Sequence, residues 1–170
     1  SILEKSSTSF SSCDSIRPAS AAWRINSRPS GEIGSLSSKY EHFHEWKRLA
    51  EDAPGVVDLE TALKGMCSKA NFMDIFENFL LFDSSSGKTA KILARNHQYL
   101  GVNRAVEAVR TRQGREGKLG VFWHTQGSGK SYSMVFFSEK IHRKLTGNFT
   151  FLVVTDREDL EKQIYNTYVG

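Results

Sequence analysis

The chain has 170 residues, enough for one domain with a core of moderate size. Hydrophobic residues make up 39% and charged residues 25%, a globular composition. No run of about eighteen apolar residues occurs, which excludes a membrane-spanning helix. No basic-then-apolar leader opens the sequence. Cys13 and Cys67 lie far apart and outside any CxxC pair, so they read as thiols of a reducing compartment such as the cytoplasm. The net charge is +4 but unevenly spread. Residues 41–83 carry nine acidic and four basic groups, a balance of −5, and residues 84–118 carry eight basic and two acidic groups, a balance of +6. The basic block is a weak indication of a phosphate-backbone partner, since such a block is often a solvated face.

In chain order, thirteen of the first thirty-eight residues are Ser, with no apolar periodicity, so 1–38 reads as mostly disordered or as a loose remnant. KYEHFHEWKRL (39–49) interleaves aromatics with charges and can open a short amphipathic segment. From Val57 the pattern is helical through Leu59, Leu63, Met66 and Ala70, then Phe72, Ile75, Phe76, Phe79 and Leu80. Asp58 is placed to cap the first of these helices and Asn71 the second. DSSSG (83–87) is a turn. A further helix is expected over 95–112, broken by GREG (114–117). LGVFW (119–123) and FTFLVVT (149–155) have the composition of buried strands. Between them SYSMVFFSEKIHRKL (131–145) is amphipathic, and DREDLEKQIYNTY (156–168) opens with the acidic residues that a helix start favours. The second part therefore reads β–loop–α–β–α, the repeat of a parallel α/β sheet.

HTQGSGKS (124–131) lies between a predicted strand and a predicted helix, the setting of a phosphate-binding loop. Gly127 and Gly129 permit a tight turn that aims backbone N–H groups at phosphate oxygens. The helix N-terminus adds positive potential. Lys130 supplies a charge for the β- and γ-phosphates, and the Ser131 hydroxyl a ligand for Mg²⁺. Against this stands His124, where the strict pattern has Gly, and a Gly-rich turn of an unrelated fold is the competing reading. SSSGKT (84–89) lacks a preceding strand, and GREGKL (114–119) lacks Ser or Thr after Lys, so both read as plain turns.

FWHTQGSGKS, followed by FLVVTDREDLEKQ, closely resembles the restriction subunit of type I restriction-modification enzymes, superfamily-two helicase-like DNA translocases. The resemblance extends over about 34–170 and includes IGSLSSKYEHFHEWKR; residues 1–33 fit it poorly. In that family the loop commonly begins His-Thr-Gln, so His124 is in place. The resemblance implies an ATP- and Mg²⁺-binding loop of Thr125, Gln126, Gly127, Ser128, Gly129, Lys130 and Ser131, with Mg²⁺ reached by Ser131 through the nucleotide. It implies an adenine-reading role for Gln98, whose amide matches both edges of the base; an ordinary surface Gln is the alternative. It places Thr155, Asp156 and Arg157 near a DNA backbone track and Gln163 in the same motif, against helix capping by Asp156 and a plain exposed Arg157. The implied fold class is α/β, a helical linker region (39–94) followed by an incomplete RecA-like P-loop parallel sheet, the N-terminal part of a motor domain (95–170). The implied activity is that of a type I site-specific deoxyribonuclease driven by ATP-dependent translocation. The implied partners are double-stranded DNA and the methylase and specificity subunits, with no membrane.

Hydrolysis by such a motor also needs an Asp-Glu-x-His and an arginine from a second lobe, and no Asp-Glu pair follows 149–155. A chain that begins at Ser1 and carries these motifs alone is expected to be a piece of the subunit, marginally stable and without appreciable ATP turnover. Glu45-Trp46-Lys47 matches the family's nuclease tripeptide only by spacing, and with no Cys or carboxylate cluster at metal spacing His42 and His44 read as exposed or partly packed histidines. The competing functions are a stand-alone nucleotide- or DNA-binding remnant and a small P-loop kinase. Gln98 and TDREDL argue against the kinase.

Overall fold

The chain is described from a computed structural model at residues 23–25, 32–35, 44–83 and 89–169. These fall into two compact units, one within residues 1–49 and 53–71, the other within 50–52 and 72–170. Cys13, His42 and the SSSGK stretch (84–88) lie outside the described residues.

In the first unit, β1 (Trp23–Ile25), β2 (Glu32–Ser35) and β3 (His44–Glu45) form an antiparallel sheet in that order. Residues 23–25 and 32–35, within the stretch read as mostly disordered, pair as strands, and so short a strand leaves no periodic apolar signature. Glu45 ends β3 and pairs with Lys47 at 2.5 Å, so the nuclease-like tripeptide does sit beside a strand. Its central Trp46 is buried, with the indole laid against Gly65 where no Cβ intervenes. Helix α1 (Leu59–Cys67) is capped as expected, the Thr61 N–H donating to Asp58 Oδ1 at 2.6 Å. Extended backbone at Ser68 ends α1, and α2 (Lys69–Asn78) starts at once. Asn71 therefore lies inside α2 and is not its cap. Its Nδ2 instead donates to the Gly65 carbonyl at 2.9 Å, satisfying one of the acceptors left over at the end of α1.

In the second unit, β4 (Leu80–Asp83) and β5 (Ala90–Leu93) form an antiparallel hairpin. The helical reading through Leu80 is corrected here: α2 stops at Asn78, and the Leu-Leu-Phe run is strand. Helix α3 (Asn96–Arg110), helix α4 (Lys130–Lys144) and helix α5 (Glu158–Val169) fall close to their predicted spans. Helix α3 packs on α4, and α4 on α5. Phe79, Tyr99 and Phe136 fill the core, with ring centroids 4.8 Å (Phe79–Tyr99) and 5.7 Å (Phe79–Phe136) apart.

Lys140 of α4 is buried within this core. Its ammonium donates to Asp74 Oδ1 and Oδ2 on α2 at 2.5 and 2.6 Å and to Asn103 Oδ1 on α3 at 2.5 Å, and stands 4.8 Å from the Phe79 ring centroid. Burial pulls the Lys140 pKa down, and Asp74 opposes the shift. The net direction shows that desolvation outweighs the attraction, as is common for a buried pair. Tyr99 beside it is pushed up to about 12, mainly by burial and next by Asp74.

The segments 119–123 and 149–155 were expected to be buried strands. Among the described residues neither is laddered to a neighbour. Exposure nevertheless alternates along them: Val121 and Trp123 are 91% and 80% exposed and Phe122 38%, while Leu152 and Val154 are 87% and 84% exposed and Val153 40%. The period of two is that of a strand with one face on the helices and the other in water.

Two tests follow from this packing. Lys140→Met leaves Asp74 charged and partly buried, and is expected to cost about 3–5 kcal/mol in urea unfolding, whereas Lys140→Met combined with Asp74→Leu should recover most of it. Val121→Lys with Val154→Lys should raise the concentration at which the chain stays monodisperse by light scattering, with the unfolding midpoint almost unchanged, because both side chains already stand in water.

Candidate phosphate-binding site

The loop between 119–123 and α4 turns on two glycines in the left-handed region, Gly127 (φ 76°) and Gly129 (φ 81°), the latter the N-cap of α4. A side chain at Gly129 would be strained by that φ, and its Cβ would fall 2.8 Å from Gln98 Nε2. The glycines deliver Lys130 and Ser131 as the first two residues of a fifteen-residue helix, where backbone N–H groups lack helical partners. Lys130 Nζ donates back to the carbonyls of His124 (2.9 Å) and Thr125 (3.0 Å), so its charge rests over the turn. Thr125, Gln126 and Gly127 are exposed, and Ser131 is half-buried with its hydroxyl 3.5 Å from Gln163 Nε2 of α5. Ser128 is buried, and its Oγ has no partner among the described residues.

Gln98 is placed otherwise than a surface glutamine. It is buried at the start of α3, with Oε1 accepting from the Arg95 N–H at 2.8 Å and Nε2 donating to the Gly129 carbonyl at 2.9 Å. Its amide ties α3 to the phosphate loop with both ends engaged.

His124 does not face the turn. With Phe122 it docks onto α3, where Gly101 leaves room: a Cβ there would lie 2.6 Å from the Phe122 ring. The His124 ring meets Phe122 at 4.4 Å and, edge-on, His97 of α3 at 4.7 Å. His97 Nε2 lies 3.1 Å from the Ser128 carbonyl. Neither His97 nor Gly101 stood out in the sequence. Their spacing of four puts them on one helix face, but nothing in that spacing signals a loop contact.

A cavity of about 930 Å³ lies between α3, residues 119–123 and α4, reached by Val102, Ala105, Met134 and Phe137. Of the loop only His124 and Lys130 line it. Val121 and Trp123 on its lining are largely exposed, so it opens to solvent, and Lys130 connects it to the loop.

The remaining candidates are more loosely placed. Thr155 is half-buried, and Asp156 and Arg157 are exposed. The Arg157 carbonyl accepts from the N–H groups of Leu160 and Glu161, so Arg157 stands at the start of α5. Much of the basic block is locally engaged. Arg104 pairs with Glu51 (2.7 Å), Arg110 with Glu107 (3.5 Å) and Lys118 with Glu116 (2.9 Å), and Arg112 lies over the Phe149 ring. GREGKL is a turn, with Glu116 and Gly117 at φ 55° and 80°. Among the described residues no three of His, Cys, Asp and Glu gather as a metal site, and no helix is long and apolar enough to cross a membrane.

Burial, then His97 and Lys130, hold the His124 pKa below its ordinary 6.5, with Glu51 opposing. As pH falls through 6.5, the unfolded chain takes up a proton that the folded chain does not, so stability is lost on the acid side. The unfolding midpoint of the wild type should therefore fall below pH 6.5 more steeply than that of His124→Gln, measured by thermal denaturation across pH 7.5 to 5.

Residues 97–170 match the family model of the SWI2/SNF2 ATPase. Over 145 residues the chain is 39% identical to the type I restriction enzyme HindI endonuclease subunit of Haemophilus influenzae, covering 80% of this chain and 14% of that protein. Over 162 residues it is 30% identical to the putative type I restriction enzyme MjaIXP endonuclease subunit of Methanocaldococcus jannaschii, covering 81% of this chain and 15% of that protein. The chain thus spans about one seventh of the length of these relatives. It belongs to the family of type I restriction enzyme endonuclease subunits, as a partial chain carrying helicase-like ATPase sequence.

Proposed function

We propose that loop 124–131 holds the phosphates of ATP, and that this chain is a fragment of the ATP-dependent DNA-translocating subunit of a type I restriction endonuclease. The observation that carries the reading is the pair of left-handed glycines that sets Lys130 and Ser131 on the first turn of α4. The donor set fits the group. Thr125, Gln126 and Gly127 offer exposed backbone, Ser128 an unpartnered hydroxyl, Lys130 a cation and Ser131 a hydroxyl for Mg²⁺. Mg²⁺ bound with the nucleotide would offset charge on the β- and γ-phosphates. Gln98 is the proposed adenine contact, and to read the base its amide must exchange at least one of its two backbone bonds.

In this reading 95–170 is the opening part of a RecA-like domain, to which 119–123 and 149–155 would contribute strands. Thr155, Asp156 and Arg157 are proposed contacts to double-stranded DNA, at the loop-to-helix junction before α5. The methylase and specificity subunits are the proposed protein partners, and the cytoplasm the proposed location. The acidic pair and arginine that hydrolysis requires are not among the motifs of these 170 residues, so binding is the property to test on them.

Calorimetric titration of the chain with Mg·ATP should show saturable binding that Lys130→Ala weakens by more than about tenfold, since bonds to charged groups are the stronger ones. Equal affinity in both, or none in either, would favour a remnant without nucleotide function.

A further inference from the structure

Two adjacent residues on the first turn of α3 hold two adjacent carbonyls of the phosphate loop. Gln98 Nε2 donates to Gly129 O at 2.9 Å, and His97 Nε2 lies 3.1 Å from Ser128 O. A carbonyl oxygen only accepts, so the His97 contact is a hydrogen bond when Nε2 carries the proton. The trans peptide is planar, and its C=O and N–H point in opposite directions. Drawing the Ser128 carbonyl toward α3 therefore turns the Gly129 N–H away from α3, while the Gly129 carbonyl is shared between Gln98 and, within α4, the Ser133 N–H (3.1 Å) and hydroxyl (3.3 Å). The Gly129 N–H, at the N-cap of α4, bears on any anion held there. Edge contact with His124, at the head of the loop, braces the same His97 ring from a second side.

Resting on the nucleotide-site reading above, we propose that His97 is a positioning residue for anion binding: its Nε2–H holds the Ser128 carbonyl and thereby aims the Gly129 amide. No contact of His97 with the nucleotide is required.

The test uses the 170-residue chain, a fluorescent ADP analogue with Mg²⁺, and competition by pyrophosphate and by adenosine. His97→Phe keeps a ring against His124 but removes the donor. His97→Gln places an N–H at the same bond distance from Cα. His97→Phe should weaken the ADP analogue and pyrophosphate by about three- to tenfold, the worth of one ordinary hydrogen bond. It should leave adenosine competition unchanged, and His97→Gln should restore most of the loss. Nitrogen-15 spectra of the wild-type imidazole should show Nε2 protonated. A neutral Nδ1–H tautomer overturns the proposal, as does a His97→Gln chain that binds no better than His97→Phe. Binding that Lys130→Ala abolishes but His97→Phe leaves intact sinks this proposal alone. A wild-type chain that binds neither the ADP analogue nor pyrophosphate sinks the site reading and this proposal together. Should His97→Phe fail to fold, the tautomer and the affinity of His97→Gln relative to wild type still decide.

Discussion

The ammonium of Lys140 is where three helices meet. Asp74 brings in α2, Asn103 brings in α3, and Lys140 itself belongs to α4. Such a group tolerates little sliding, because every misaligned position leaves a charge buried without a partner. Burial holds the Lys140 pKa below its ordinary value against the pull of Asp74, and a buried pair of this kind is weak evidence for net stability. Since α3 and α4 are each rigid over fifteen residues, fixing their crossing at Asn103 and Lys140 also fixes how their N-terminal ends approach. Those ends are where His97 and Gln98 reach the phosphate loop.

His124 illustrates how a motif departs from its strict form without losing its geometry. A phosphate loop excludes bulk from the turn itself, where a Cβ would crowd an anion or force a strained φ. At the head of this loop the His124 side chain leaves sideways, against the Phe122 and His97 rings, while Phe122 fills the slot over Gly101.

How much was legible in the sequence depends on whether an element is defined locally. Helices α3, α4 and α5 carry their own hydrogen bonds and a 3.6-residue apolar rhythm, so their spans could be read closely. The tight turn of loop 124–131 could be read because Gly127 and Gly129 are spaced for left-handed backbone just ahead of a helix. A strand is defined by its partner, and 119–123 and 149–155 show the rhythm of strands with no ladder among the described residues. Leu80 to Asp83 deceived for the converse reason, since an apolar run that directly follows a helix looks like its continuation. Lys140 reads as one more charge on an amphipathic helix, and His97 as an ordinary helical histidine. Both owe their roles to residues more than thirty positions away, a relation that no local window contains.

Trp123 points away from α3 while its neighbours Phe122 and His124 point toward it. That single reversal makes the indole an optical gauge of the outer face of the segment. In water it emits at long wavelength, and any polypeptide that pairs along 119–123 and lies over that face shifts it to the blue. With Trp23 and Trp46 replaced by Phe, the residue preceding loop 124–131 thus reports, without a label, whether another polypeptide covers that face.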